Sequence, residues 1–214
     1  LAAALVLARV DRGEEALERS VAIASASVPY SPVTQARVGA GMSMAELCHA
    51  AVALSDNTAA NLLLESFGGP AAFTAYLRGL GDGVTRLDRI EPELNEALPG
   101  DPRDTTSPSA MAATMRRLLV GDALSPASRR QLAHWLLDSK TGDARLRAGV
   151  PAGWRVGDKT GSGERGTTND VAILWPPGRP PLLVAAYLTQ GDAPAAARDA
   201  ILADVGRMAA AGVA

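Results

Sequence analysis

Over the first two thirds of the chain, apolar positions recur with helical spacing; beyond that they come in short runs typical of strands. Leu1 to Val10 is apolar nearly all round and predicts a buried helix. No capping residue precedes it, so the expectation is a helix entered part-way, with more chain upstream. Arg12 to Pro32 is mixed and loop-rich, with Tyr30 expected to be exposed. Ser43 followed by Glu46 is a capping box that opens the helix MAELCHAAVAL. Ser55-Asp56-Asn57 interrupts the apolar pattern, TAANLLLESF resumes it, and Gly68-Gly69-Pro70 breaks and restarts a helix ending near Gly81. Ser107-Pro108 and Ser125-Pro126 each set a cap before a proline at the first helical position, starting SAMAATMRRLLV and ASRRQLAHWLLD. Trp154–Asp158, Asp170–Trp175 and Leu182–Thr189 then read as strands between Gly- and Pro-rich turns, and an amphipathic helix over Pro194–Ala211 closes the chain. The fold expected is α/β (α+β). A helical domain, residues 1–140, packs on an antiparallel sheet flanked by helices, with residues 141–214 forming the C-terminal part of that α/β unit.

One stretch fits neither rhythm. Thr85 to Thr106 is densely charged, holds three prolines and has no apolar period. A loop that long is either functional or disordered. Arg89 and Asp104 stand where an ion pair can staple its two ends, which argues for order. Glu91 and Asn95 are four apart, so one helical turn puts both on one face. A carboxylate and an amide aimed at one point can hold a water, with the carboxylate as its base.

Composition narrows the classes. The 214 residues suffice for a substantial core, and a net charge of −2 gives no reason to expect nucleic acid or an anionic membrane as partner. No apolar run approaches a membrane span. LAAALVLARV resembles the apolar part of a signal peptide but has neither a basic lead nor a small-residue cleavage site, and it runs into Asp11. Cys48 is the single cysteine, and with two histidines and no ligand-like spacing a structural metal is not expected.

Two further sites carry chemistry. Ser55-Asp56-Asn57 sits between helices, where a hydroxyl and an amide can face a cleft; taken alone it reads as an interhelical turn with a cap. Lys159-Thr160-Gly161-Ser162-Gly163 ends a strand and offers an ammonium, two hydroxyls and glycines that admit a ligand to the backbone. Taken alone it reads as a polar hairpin turn.

In this order, Ser55-Asp56-Asn57, Glu91-Pro92-Glu93-Leu94-Asn95 and Lys159-Thr160-Gly161 resemble the motifs of the class A serine β-lactamases. The segments YSPVT, ELC, SDNTAANLLL, EPELNEA, RDTT, PAGW and GTTNDVA extend the likeness over essentially the whole chain. The family's nucleophile lies in a Ser-x-x-Lys motif upstream of a segment like LAAALVLARVD, and no Ser-x-x-Lys occurs in this sequence. The expectation is a chain that starts downstream of that motif, with part of the sheet also upstream.

The resemblance implies hydrolysis of β-lactams through a serine acyl-enzyme. Catalytic roles then fall to Glu91 (base for the deacylating water), Asn95 (its second anchor), Ser55 (proton donor to the lactam nitrogen) and Lys159 (positive potential). Substrate binding falls to Asn57, Thr160, Gly161, Ser162, Arg145 and Tyr30. Asn57 meets the substrate's side-chain amide, Thr160 and Ser162 bind its carboxylate, and Tyr30 walls the entrance. The Ser162 N–H is one of two oxyanion donors, a contribution of about 3–4 kcal/mol in comparable sites. Where many members carry an arginine after the KTG strand this chain has Thr168, and Arg145 resembles the alternative source, aimed at Lys159 and Thr160. Ser162 and Arg145 together suggest a broad range that includes cephalosporins. The position that elsewhere pairs with Cys48 is Ala3 here, so Cys48 is expected as a free buried thiol. The resemblance also implies a cis Glu91–Pro92 bond, no cofactor, a small-molecule β-lactam as the only partner of a monomer, and a secreted or periplasmic location. The readings from other classes are a penicillin-binding peptidase and an inactive β-lactam or peptidoglycan binder.

Overall fold

The computed structural model describes residues 1–26 and 28–213. The helical part comprises α1 (Ala2–Asp11), α2 (Met44–Ala53), α3 (Asn57–Ser66), α4 (Gly69–Gly79), α5 (Pro108–Leu119) and α6 (Pro126–Leu137). Between α1 and α2 lies a two-stranded antiparallel ribbon, β1 (Ser20–Ala22) with β2 (Gly41–Ser43). A single turn, α7 (Leu146–Gly149), leads into β3 (Arg155–Ser162), β4 (Thr168–Trp175) and β5 (Leu182–Leu188), and α8 (Ala195–Ala211) follows. The three strands form an antiparallel sheet in the order β3-β4-β5.

Local sequence explains most helix starts. Ser43 and Glu46 exchange both capping-box hydrogen bonds at α2. Ser107 and Ser125 accept from Ala110 N–H and Ser128 N–H, each at 3.2 Å, ahead of Pro108 and Pro126. Such caps satisfy donors that the first helical turn leaves free. Asp56, inside the interrupting triplet, caps α3 through Ala59 N–H at 2.9 Å.

Alternation along β4 separates two cores. Ile173 faces the main cluster with Leu7, Leu47, Leu63, Leu118 and Trp135, which joins α1, α2, α3, α5 and α6 to one face of the sheet. Ala172 and Leu174 face the other way, against Leu146 and Leu202 of α7 and α8. The period of two sends neighbours to opposite faces. α7 and α8 cross with backbone nearly touching: a Cβ on Gly149 would stand 1.8 Å from the Ala203 carbonyl oxygen, and one on Gly206 2.2 Å from that of Leu146. Only glycine fits at either position.

The expected helices are present. β3 runs four residues beyond the expected Asp158, so Lys159 to Ser162 lie within the strand rather than after it. β1, β2 and α7, three or four residues each, were not foreseen. Cys48 is buried and free, and burial pushes its thiol pKa up.

Candidate active site

Asp56 organises one wall. Its fully buried carboxylate accepts Val33 N–H and Thr34 N–H on Oδ2 at 2.8 and 2.9 Å, and the Thr34 hydroxyl and Ala59 N–H on Oδ1. This ties the turn after Tyr30 to the start of α3. Asn57 completes the tie: its N–H reaches Tyr30 O at 3.0 Å and its Nδ2 reaches Pro29 O at 2.8 Å. Tyr30 (φ 60°) and Ser55 (φ 56°) take left-handed backbone that few side chains adopt. Tyr30 is 61% exposed at the mouth of the cleft.

The charged loop is ordered by its own carboxylates. Asp104 accepts Arg89 Nε at 2.6 Å on one oxygen and the N–H groups of Asp88 and Arg89 on the other. Arg89 also reaches Glu96 at 2.5 Å. At the neck, Asp82 binds Val84 N–H, Thr85 N–H and the hydroxyls of Thr85 and Thr114. The Glu91–Pro92 bond is cis. Glu93–Asn95 forms one 3₁₀ turn, tighter than the α turn assumed from the spacing, and Asn95 Nδ2 meets Glu91 Oε2 at 2.5 Å. From α3, Asn61 holds the Glu91 backbone at both ends: Oδ1 accepts its N–H and Nδ2 donates to its carbonyl, each at 2.9 Å.

The third wall is the end of β3. Lys159 Nζ donates to Ser55 Oγ at 2.8 Å and to Thr160 O at 2.7 Å. Burial pulls the Lys159 pKa down to about 8, against the opposing pull of Glu91, Asp158 and Asp170. Burial raises Glu91 above the usual carboxylate range, opposed by the Asn95 hydrogen bond and by Lys159. Thr160 Oγ1 lies 2.6 Å from Thr141 Oγ1. Gly163 packs where a Cβ would stand 2.8 Å from Asn95 O, so strand end and loop touch.

Arg145 does not point at Lys159 and Thr160 as expected. Its guanidinium lies further along the strand, donating to Gly161 O, Asn169 O and Ser162 Oγ at 2.8, 2.7 and 2.8 Å, and to Asp199 Oδ1 at 2.9 Å. Backbone carbonyls of two paired strands and a carboxylate outcompete the crowded ground beside a second cation. Nor does it fill the space at Thr168, whose hydroxyl receives Arg198 Nε at 2.8 Å.

Tyr30, Ser55, Asn57, Glu91, Asn95, Arg145, Lys159, Thr160, Gly161 and Ser162 thus line one cleft of about 840 Å³, within the range of small-molecule sites. Sequence reasoning missed Asn61, Thr141 and Asp199. Asn61 left a trace, standing one helical turn after Asn57 inside an otherwise apolar stripe.

Behind the cleft, Asp170 lies fully buried on the α7 face of β4. One oxygen accepts Leu146 N–H at 3.1 Å; the other has no hydrogen-bond partner among the described residues. Burial, then the charge of Asp158, raises its pKa to about 7. A folded-state pKa above the unfolded one means the native protein binds the extra proton, so stability falls as pH rises through that interval. Asp170→Asn is expected to flatten this fall between pH 5 and pH 8 in thermal melts. A variant whose melting temperature drops with pH as steeply as the wild type contradicts the assignment.

A helical layer on an antiparallel sheet, with an acid, a half-buried lysine and hydroxyls meeting at their junction, is an architecture this chain shares with known enzymes. Residues 1–213 match the model of the β-lactamase enzyme family. Over 180 residues the chain is 55% identical to β-lactamase FAR-1 of Nocardia farcinica (strain IFM 10152), covering 84% of this chain and 58% of that protein. Over 204 residues it is 49% identical to β-lactamase CTX-M-8 of Citrobacter amalonaticus, covering 95% of this chain and 70% of the relative. Among solved structures, an ancestral (GNCA) class A β-lactamase superposes with a TM-score of 0.96 at 65% identity, covering 99% of this chain and 82% of the other. A putative class A β-lactamase, PenP, from Rhodopseudomonas palustris does so with a TM-score of 0.96 at 63% identity, covering 100% and 82%. The chain belongs to the β-lactamase enzyme family, in its class A.

Proposed function

We propose that the complete protein hydrolyses β-lactam antibiotics through a serine acyl-enzyme, with Glu91 activating the deacylating water. The observation that carries this reading is the meeting of two hydrogen-bonded pairs, Lys159–Ser55 and Glu91–Asn95, in one cleft. The serine comes from a Ser-x-x-Lys segment outside these 214 residues.

In acylation a base, the motif's lysine or Glu91 through a water, takes the serine's proton as the serine oxygen bonds to the lactam carbonyl carbon. The ring C–N bond then breaks, Ser55 protonates the nitrogen, and the proton taken from the serine restores the Ser55 hydroxyl. Ser55 Oγ accepts from Lys159, so its own proton is free to pass to the departing nitrogen. The Ser162 N–H faces the developing oxyanion, and the hydroxyls of Thr160 and Ser162 take the substrate carboxylate. In deacylation Glu91 removes a proton from water as the water oxygen bonds to the acyl carbon. Collapse then breaks the ester C–O bond, and the proton returns to the serine oxygen. A carboxylate made more basic by burial suits that task. Tyr30 and Asn57 bound the side where the substrate's amide enters. A secreted or periplasmic location accompanies this reading.

The test is turnover of a chromogenic cephalosporin by the complete protein. Many turnovers per active site are expected. A single stoichiometric acylation points instead to a penicillin-binding peptidase, and no covalent product at all to a binding homologue.

A further inference from the structure

The whole-chain charge of −2 conceals a local asymmetry. Residues 116–130 hold four arginines and one acid, a charge of +3, so the rest of the chain carries −5. Arg116 and Arg117 lie in the last turn of α5, and Arg129 and Arg130 lie early in α6. Arg78, in the last turn of α4, adds a fifth. None of the five takes part in an ion pair among the described residues. Three are pinned by backbone carbonyls instead: Arg78 by Asp82 O and Thr85 O at 2.5 and 2.7 Å, Arg117 by Leu80 O, and Arg129 by Gly121 O. The fold thus gathers these charges around the turn at residues 120–123 without neutralising them.

Helix stability explains only part of this arrangement. Cations at the C-terminal ends of α4 and α5 suit the helix dipole, but Arg129 and Arg130 stand toward the start of α6, the end that favours anions. Asp11 of α1, which reaches that end, is engaged by Ser125 N–H and the Ser128 hydroxyl at 2.8 and 2.7 Å. Two apolar side chains stand open beside the arginines. Val120, 45% exposed, belongs to the turn itself. Val84, 55% exposed, sits on the adjoining turn, which Asp82 fastens to Thr114 of α5. Arginines around exposed valines fit a surface that is anionic outside and apolar beneath, as a lipid bilayer is and a soluble polyanion is not. None of these residues lines the catalytic cleft.

We propose that the corner formed by the ends of α4 and α5 and the start of α6 is a docking surface for an anionic phospholipid bilayer. The arginines meet the headgroup phosphates, and Val120 and Val84 reach the acyl boundary beneath them. The catalytic cleft stays open in the docked protein, and the docking stands independently of the hydrolytic reading above.

The test is cosedimentation of the complete protein with vesicles of equal parts phosphatidylglycerol and phosphatidylcholine, and with vesicles of phosphatidylcholine alone. Binding is expected to the anionic vesicles only, and is expected to fade as added salt screens the charges. Each arginine near such a surface contributes about fivefold, so Arg116→Gln/Arg130→Gln is expected to weaken binding about 25-fold. Both side chains are exposed, and a thermal melt that matches wild type shows the fold intact. Asp122→Asn removes the acid from the patch and is expected to tighten binding, by up to about fivefold. Val120→Ser is expected to weaken vesicle binding while leaving binding to inorganic polyphosphate as it is in wild type. A wild type that stays in the supernatant with anionic vesicles overturns the proposal, as does a double variant that binds like wild type. Vesicle binding untouched by Val120→Ser, together with equally tight binding of polyphosphate, overturns it too and makes the corner a site for soluble polyanions.

Discussion

Glu91→Ala in the complete protein is expected to trap an acyl-enzyme. Both half-reactions need a proton acceptor, but only deacylation needs a water seated against the acyl carbon. Glu91 and Asn95 meet at 2.5 Å across one tight turn, and Asn61 clamps the Glu91 backbone from α3. The acid therefore sits on a rigid seat, and removing it takes away both the base and one anchor of the water. Loss of a positioned general base costs about 10²–10⁴ in rate. An upstream lysine can substitute in acylation, so the slow step moves to hydrolysis of the ester and intermediate builds up. Mass spectrometry after mixing with a penicillin checks this. A mass increased by one substrate is the expected result. Unmodified protein together with lost turnover would make Glu91 the acylation base, and undiminished turnover would remove it from the chemistry.

How much of this was legible beforehand depends on how local each signal is. Helices announced themselves because their caps and apolar stripes lie within a few residues: Ser43 with Glu46, Ser107 with Pro108, Ser125 with Pro126. The ends of β3 were not legible. Lys159-Thr160-Gly161-Ser162 has the polar, glycine-bearing composition of a turn, and it is strand only because Thr168 to Val171 pair with it across the sheet. The order of the Thr85–Thr106 loop was read from its charges, and Arg89–Asp104 at 2.6 Å agrees. Much of what else orders it lies outside it, in Asp82 and Asn61, whose partners are remote or backbone. The expected aim of Arg145, at Lys159 and Thr160, is not met, because its guanidinium is held by Gly161 O, Asn169 O and by Asp199, 54 residues away. A partner at that separation leaves no pattern in a single sequence.

Asp56 is the clearest case of a residue whose importance exceeds its apparent role. Sequence reading gave chemistry to the residues on either side and left Asp56 as part of a turn, yet it is the one that holds both in place. Asp56→Ala would leave buried the N–H groups of Val33, Thr34 and Ala59, together with the Thr34 hydroxyl. Unsatisfied buried donors cost about 1–3 kcal/mol each, so about 4 kcal/mol or more is expected even if water enters. For a chain of this size that lowers the melting temperature by about 10 °C. Asp56→Asn separates charge from acceptor geometry. Each carboxylate oxygen receives two donors, so whichever way the amide turns, its NH₂ faces at least one backbone N–H: those of Val33 and Thr34 on one side, that of Ala59 on the other, where only the Thr34 hydroxyl can turn to accept. The isosteric variant should therefore melt nearly as low as the alanine one. It should also lose activity, because Ser55 and Asn57 flank the collapsed cap. Thermal melts of the two variants decide this: an asparagine variant within about 2 °C of wild type would mean that one acceptor oxygen suffices and that the four-donor account of this wall is wrong.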